Sequence, residues 1–420
     1  MRAHRKNDGT TSDGTPPAWD GESDGDDTPG DGGNLGESGD PACAAVPPAP
    51  WPAANVDDPS VVSFDDKLFF TVDGARFFPI GFYHMPSDED DLATYAAEGF
   101  NTGLSGIGCC SGTKLDDQIA QLERAQDAGL FVIFHPWSRA ADVLDRPEVD
   151  LEAELDARTG IGSLFGWYTF DEPGLRDVDK ALTGRMHEVL TTYDPTHLDG
   201  LVDAPLTDFS RYVDDCSFFM VDPYPSPWMP MSYVKATMLE ALEATAGEKP
   251  IMAVPQAFSW AHLHGQTDEE YRPNAAEMRN MTWQFIIHGA KGLMYWNYDA
   301  SYTIHHQPEI WASFLADVAE INELMRAILA DDVTEDIQVD AARGDSFDYR
   351  ATRVGETIYL FTVSTLEHSN DVTLDMSPFG NIACVVDYTT GETFRYLYPP
   401  YIRIPYGPLQ VRVLQVTPSG

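Results

Sequence analysis

A chain of 420 residues with 68 acidic and 26 basic side chains carries a formal charge of −42, which disfavours nucleic acid and anionic membranes as partners. It contains no apolar run of the roughly 18 residues that a membrane-spanning helix needs, so no transmembrane segment is expected. The length admits a large core and exceeds one typical domain, so two or three regions are expected.

The chain begins with a basic stretch, Met1 to Lys6, that leads into Asn7-Asp8-Gly9-Thr10 instead of an apolar segment. No ordinary export signal is therefore expected, although an extracellular or surface location stays open. Residues 7–60 consist mainly of Gly, Asp, Ser, Pro and Ala. That composition cannot repay the entropy of ordering, and residues 1–60 read as an acidic disordered arm.

From Val61 onward the pattern becomes regular. A short hairpin turning at Asp73-Gly74 is predicted, followed by a strand through Phe77–Tyr83. Buried strands are then expected at 78–84, 101–106, 130–136, 164–170, 198–203, 216–222, 251–256 and 291–297. Helical segments alternate with them at 88–98, 115–128, 149–158, 176–192, 206–213, 231–246, 274–288 and 309–328. Eight such repeats over about 250 residues are the size of a (β/α)8 TIM barrel, here expected over 61–330. A doubly wound sheet is the competitor, but no Gly-x-Gly-x-x-Gly follows the first strand. Past Leu329 the runs become short and are separated by Gly- and Pro-rich turns, so 331–420 is expected to be a small antiparallel β-sandwich.

Five cysteines, two of them adjacent at Cys109-Cys110, form neither a disulfide framework nor a metal quartet, and core thiols are expected. His262/His264 and His305/His306 lack a recognised ligand spacing. No metal and no cofactor is expected. Glu277, which opens a helix beside Arg272 and Arg279, is expected to clamp a loop to that helix.

In a barrel the C-terminal ends of the strands converge on one mouth. Those ends supply Tyr83-His84, Ser105, His135 and Trp137, Tyr168 with Asp171-Glu172, and Asp203. They continue with Asp222 and Tyr224, Gln256 and Trp260, and Trp296 with Tyr298 and Asp299. Rings offer flat faces to sugar C–H surfaces, while acids and amides bind hydroxyls, so a carbohydrate is the expected ligand. The plain structural alternative gives Asp171 a helix cap, Asp222 a turn, and the histidines buried backbone partners.

Several strings carry a specific likeness. Residues 73–83, Gly99-Phe-Asn-Thr102, Trp167-Tyr-Thr-Phe-Asp-Glu-Pro173, Val221-Asp-Pro-Tyr-Pro225, 249–258 and 289–296 resemble, in order and spacing, the retaining glycoside hydrolases of clan A. The likeness implies that Glu172 is the acid/base, with Asp171 in place of the usual preceding Asn. From their places at the strand ends, substrate contacts are expected of His84, His135, Trp137, Tyr168, Asp171, Tyr224, Gln256, Trp260, Trp296 and Tyr298. The seventh strand of that clan ends in a nucleophilic Glu, whereas here the position reads Gln256, which has no ionisable carboxyl group. Asp222 and then Asp299 are the replacements by position, with Asp203, Glu269 and Glu270 behind them. The alternative is a barrel that binds carbohydrate without cutting it. The surface, with 45 Asp and only 7 Lys, resembles that of proteins from salt-loving archaea.

Overall fold

The computed structural model describes residues 43–106, 115–136, 148–261, 271–298, 301–341 and 344–419. Trp137, Asp299, Cys109, Cys110, His262, His264, Glu269 and Glu270 lie outside the described residues.

Eight short runs, buried almost throughout, form the parallel strands β4 (Ile80–Met85), β5 (Thr102–Ser105), β6 (Phe131–Phe134), β7 (Leu164–Asp171), β8 (Leu198–Asp203), β9 (Phe218–Val221), β10 (Ile251–Ala253) and β11 (Gly292–Tyr295). They close in chain order, β11 pairing with β4, into a TIM barrel. The runs are continuous, not alternating, because each strand is covered on both faces. The helices α1 (Glu89–Ala97), α2 (Leu115–Asp127), α3 (Glu148–Thr159), α4 (Lys180–Tyr193), α5 (Ser232–Ala244), α6 (Ala275–Ile287) and α7 (Pro308–Glu323) flank it, with a last turn α8 (Met325–Ile328).

Between β8 and β9 the expected helix is absent. Two 3-10 turns, Phe209–Arg211 and Val213–Asp215, replace it. Asp208 caps the first turn through the Ser210 amide, and the turns bury Phe209, Tyr212 and Val213 against the barrel. A connection this short buries its apolar side chains without a full helix.

A three-stranded antiparallel sheet, β1 (Val62–Phe64), β2 (Phe70–Val72) and β3 (Ala75–Arg76), contains the predicted Asp73-Gly74 turn. It closes one end of the barrel. Phe70 meets Phe165 and Phe218 edge-on at 5.5 and 5.3 Å, and Phe77 meets Phe131 at 5.1 Å. Together they fill the barrel interior from below, leaving the opposite end for polar groups.

The C-terminal region packs two four-stranded antiparallel sheets. One contains β12 (Gln338–Ala341), β15 (Asn370–Asp375), β18 (Tyr401–Tyr406) and β17 (Tyr396–Tyr398). The other contains β13 (Phe347–Val354), β14 (Thr357–Ser364), β19 (Val411–Pro418) and β16 (Ile382–Asp387). The second sheet turns its outer face to α6, where Trp283 stacks on Phe361 at 5.6 Å. The Asn280 amide donates to the carbonyls of Ser364 and Leu409, both at 2.8 Å.

Residues 43–60, grouped with the arm on composition alone, form a strap along this body. The Val46 amide donates to Gln415 at 2.8 Å, the Trp51 indole to the Arg76 carbonyl at 3.0 Å, and Arg326 to the carbonyls of Ala49 and Pro50. Cys43 is bonded to Cys384 in β16, with Cα atoms 5.5 Å apart. This corrects the expectation of core thiols, which holds for the buried Cys216. Sequence separation hid the pair, since the two cysteines stand 341 positions apart. Replacing Cys384 by Ala is expected to lower the unfolding free energy by about 2–4 kcal/mol. Urea unfolding without reductant measures this, and an unchanged midpoint refutes the contribution.

Candidate active site at the barrel mouth

Above the phenylalanine layer, Tyr83, Tyr168, Met252 and Met294 continue the buried interior, with Tyr224 and Trp296 packed at its rim. The acids rise from this floor. Tyr83 donates to the Tyr168 hydroxyl at 3.2 Å, and Tyr168 donates to Asp171 Oδ1 at 2.8 Å. Arg176 bonds the other oxygen of Asp171 and lies 3.4 Å from Glu172 Oε2. One cation thus accompanies both neighbouring carboxyl groups. Trp167 points the other way, to the outer layer, where its indole donates to Asp194 at 2.6 Å.

Local backbone irregularity aims these side chains. The register of β7 against β8 shifts between Tyr168 and Asp171, and Glu172 follows with φ of 48°. Its amide still donates to Val202 at 2.9 Å. His84 repeats the device in β4, with φ of 56° at a register shift between Tyr83 and Met85. Left-handed conformations cost a non-glycine residue roughly 1–2 kcal/mol and persist where surrounding bonds enforce them. Both therefore stand at the same end of the barrel on enforced backbone.

Burial sets the charge states. Asp222 is enclosed, and burial together with the fields of Glu172 and Asp171 drives its carboxyl well above the usual range, against a hydrogen bond from Tyr224. Asp203, also buried, is pushed up to about 6 by burial first, with Glu172 adding to the shift. The amides of Gly174 and Ala204, at 3.1 and 3.0 Å, oppose it. Burial and the same carboxylates raise the phenols of Tyr83, Tyr168 and Tyr224, which stay neutral donors. His135 is pushed down to about 4 by burial and is neutral at pH 7. Its ring meets Tyr168 edge-on at 4.9 Å.

The structure thus gathers Asp171, Glu172, Asp203, Asp222, His84, His135, Tyr168, Tyr224 and Trp296 about one mouth. Two expected contacts lie elsewhere. Tyr298 belongs to the layer between barrel and helices, stacked on His305 at 4.2 Å and packed against Tyr95 and Phe82. Gln256 is fully buried. Its Oε1 accepts from the Ser226 amide at 3.0 Å, and its Nε2 donates to the carbonyls of Ser226 and Phe258 at 2.9 and 3.3 Å. Its amide is spent on fixing the loop after β9, a task that a carboxylate, lacking donors, cannot perform.

That loop carries a residue the sequence reading missed. Trp228 is 55 % exposed, and its ring lies 5.8 Å from Trp260 and 5.8 Å from Tyr271. The available signal was the run Pro223-Tyr-Pro-Ser-Pro-Trp228, whose prolines mark a turn that carries aromatic side chains. Glu277 forms a capping box with Asn274. Arg279 bonds Asp317 and Glu320 of α7, away from the mouth. Among the described residues no group of three or more His, Cys, Asp or Glu side chains is arranged to hold a metal.

No family model and no curated protein matches the chain. Solved structures do. A glycoside hydrolase superposes with a TM-score of 0.59 at 14% identity, covering 86% of this chain and 97% of its own. A family 5 glycoside hydrolase from Bacteroides vulgatus gives 0.59 at 15%, covering 85% and 93%. AmyP in complex with maltose gives 0.54 at 9%, covering 81% and 97%. The chain has a glycoside-hydrolase-like (β/α)8 barrel fold.

Two outcomes follow from the buried groups. Gln256→Glu is expected to cost about 3 kcal/mol or more, by placing an acid against two carbonyls. Calorimetry reads this, and an unchanged unfolding free energy refutes the loop-fixing role. Asp203 keeps its proton in the folded chain to about pH 6, whereas the unfolded chain releases it near the ordinary value of 3.8. Stability is therefore lost as pH rises through that window and stays lost above it, by about 3 kcal/mol. Asp203→Asn should gain on the parent protein between about pH 4 and pH 7 in urea unfolding; a pH-independent difference refutes the shift.

Proposed function

We propose that the protein is a glycoside hydrolase acting on O-glycosidic bonds of an oligo- or polysaccharide, with Glu172 and Asp222 as the working carboxyl pair. The observation that carries this reading is the enclosed Asp222 carboxyl in the field of Glu172, above a floor of tyrosine rings. An acid kept protonated beside a second carboxyl group is what protonation of a departing sugar oxygen needs.

The resemblance in sequence implies Glu172 as proton donor. The enclosure of Asp222 supports the other resting state, with the proton on Asp222 and Glu172, next to Arg176, as the carboxylate. Asp222 would then protonate the glycosidic oxygen as the C–O bond breaks. Water would add to the sugar carbon, giving its proton to Glu172, so that one water is consumed per bond cleaved. Tyr83 and Tyr168 hold Asp171 beside the pair, and neutral His135 offers a ring without adding positive charge. The separation of the two carboxyl groups decides between retention, at about 5–5.5 Å, and inversion, at about 6.5–9.5 Å.

A second reading, carbohydrate binding without cleavage, is favoured by the buried amide at the strand-seven position, Gln256. Incubation with a glycan panel separates the two. Hydrolysis predicts new reducing ends, with turnover reduced about a hundred- to ten-thousand-fold in Glu172→Gln and Asp222→Asn. Unaltered turnover in Glu172→Gln removes its assignment, and retention of a glycan without new ends establishes the second reading.

A further inference from the structure

We infer that Trp228, Trp260 and Tyr271 form a platform for sugar rings that continues outward from the mouth, so that the ligand is a glycan chain of several residues and not a single terminal sugar. This inference rests on the carbohydrate reading above and extends it to the length of the ligand.

The rings form a continuous path. Tyr224, hydrogen-bonded to Asp222, marks its inner end. Trp260 lies 6.1 Å from Tyr224, Trp228 lies 5.8 Å from Trp260, and Tyr271 lies 5.8 Å from Trp228. The spacing is thus about one ring per step, from a half-buried tyrosine beside the acids to a tryptophan that is 55 % exposed. An indole on the surface forfeits much of the gain that burying it would bring, and a row of rings beginning at a cleft marks a binding surface, unlike isolated exposed apolar residues.

The mount is rigid where the platform is exposed. Gln256 holds both the amide and the carbonyl of Ser226, two residues before Trp228. The Met229 amide, one residue after Trp228, donates to the Pro225 carbonyl at 2.7 Å. Trp228 is thereby fixed from both sides, which reduces the ordering cost of binding. The nearby acids select the chemistry of the guest. Asp171, Glu172 and Asp203 disfavour phosphate-bearing chains, and together with Asp222 they hydrogen-bond hydroxyl groups. A neutral polyol with apolar ring faces satisfies both the platform and the acids.

Affinity electrophoresis of the full chain in gels containing xylan, glucomannan, laminarin or soluble starch tests this. The parent protein should be retarded by at least one of them. Trp228→Ala should weaken that retention about fivefold or more, and Trp228→Phe should restore part of it. Tyr398→Ala, at an equally exposed ring of the sandwich, should leave retention unchanged. Thermal unfolding of each variant checks folding. No retardation of the parent protein, equal retention of Trp228→Ala, or loss in Tyr398→Ala instead of Trp228→Ala overturns the platform. The outcome is independent of the cleavage assay: if Trp228→Ala loses retention while Glu172→Gln still cleaves, the platform stands and the catalytic assignment falls.

Discussion

The barrel interior is filled with hydrocarbon from one end, and that constraint governs everything above it. Phe70 and Phe77 enter from the β1–β3 sheet and lock against Phe131, Phe165 and Phe218. Ring-on-ring packing of this kind admits no water and no unpaired polar group. Carboxyl groups carried by the strands therefore collect at the other end, where tyrosine hydroxyls and loop amides can meet them. The crowding has an electrostatic consequence. Carboxyl groups drawn together on an apolar floor disfavour one another's ionisation, and burial with the fields of Glu172 and Asp171 pushes Asp222 well above the usual carboxylate range.

The parts of this architecture that follow from local chemistry were legible in the chain. Barrel strands read as unbroken apolar runs because both faces are covered, and Asp73-Gly74 announced its turn. Glu172 and Asp222 were visible as acids at strand ends, and the fold supplies the proximity that spacing in sequence only suggested. Other features depend on contacts remote in sequence. The Cys43–Cys384 bond and the strap have no local signature, since Gly-, Ala- and Pro-rich segments become ordered only through what they lie against. Strand β18 has a weak local signal, because Pro399, Pro400 and Pro405 interrupt the inward alternation of Ile402, Ile404 and Tyr406. Tyr298 lies past the end of β11, where the strand's alternation no longer applies, and it packs outward against Tyr95 and Phe82 although it stands only two positions after the inward Trp296.

Gln256 shows how a single atom type redistributes roles. Its amide nitrogen gives two carbonyls a donor, and its oxygen takes the Ser226 amide, so the residue is a bracket between β10 and the loop after β9. The same loop presents Trp228, so one buried side chain couples the chemistry of the mouth to the shape of its rim.

The strap joins the rest of the molecule through a covalent bond at its first described residue and weaker bonds along its length. A tensile load on the chain before Cys43 would therefore enter the body at Cys384, in a sheet paired along its length to β19, before reaching the Trp51 and Arg326 contacts. Such a load bypasses the weaker contacts along the strap for as long as the disulfide is intact.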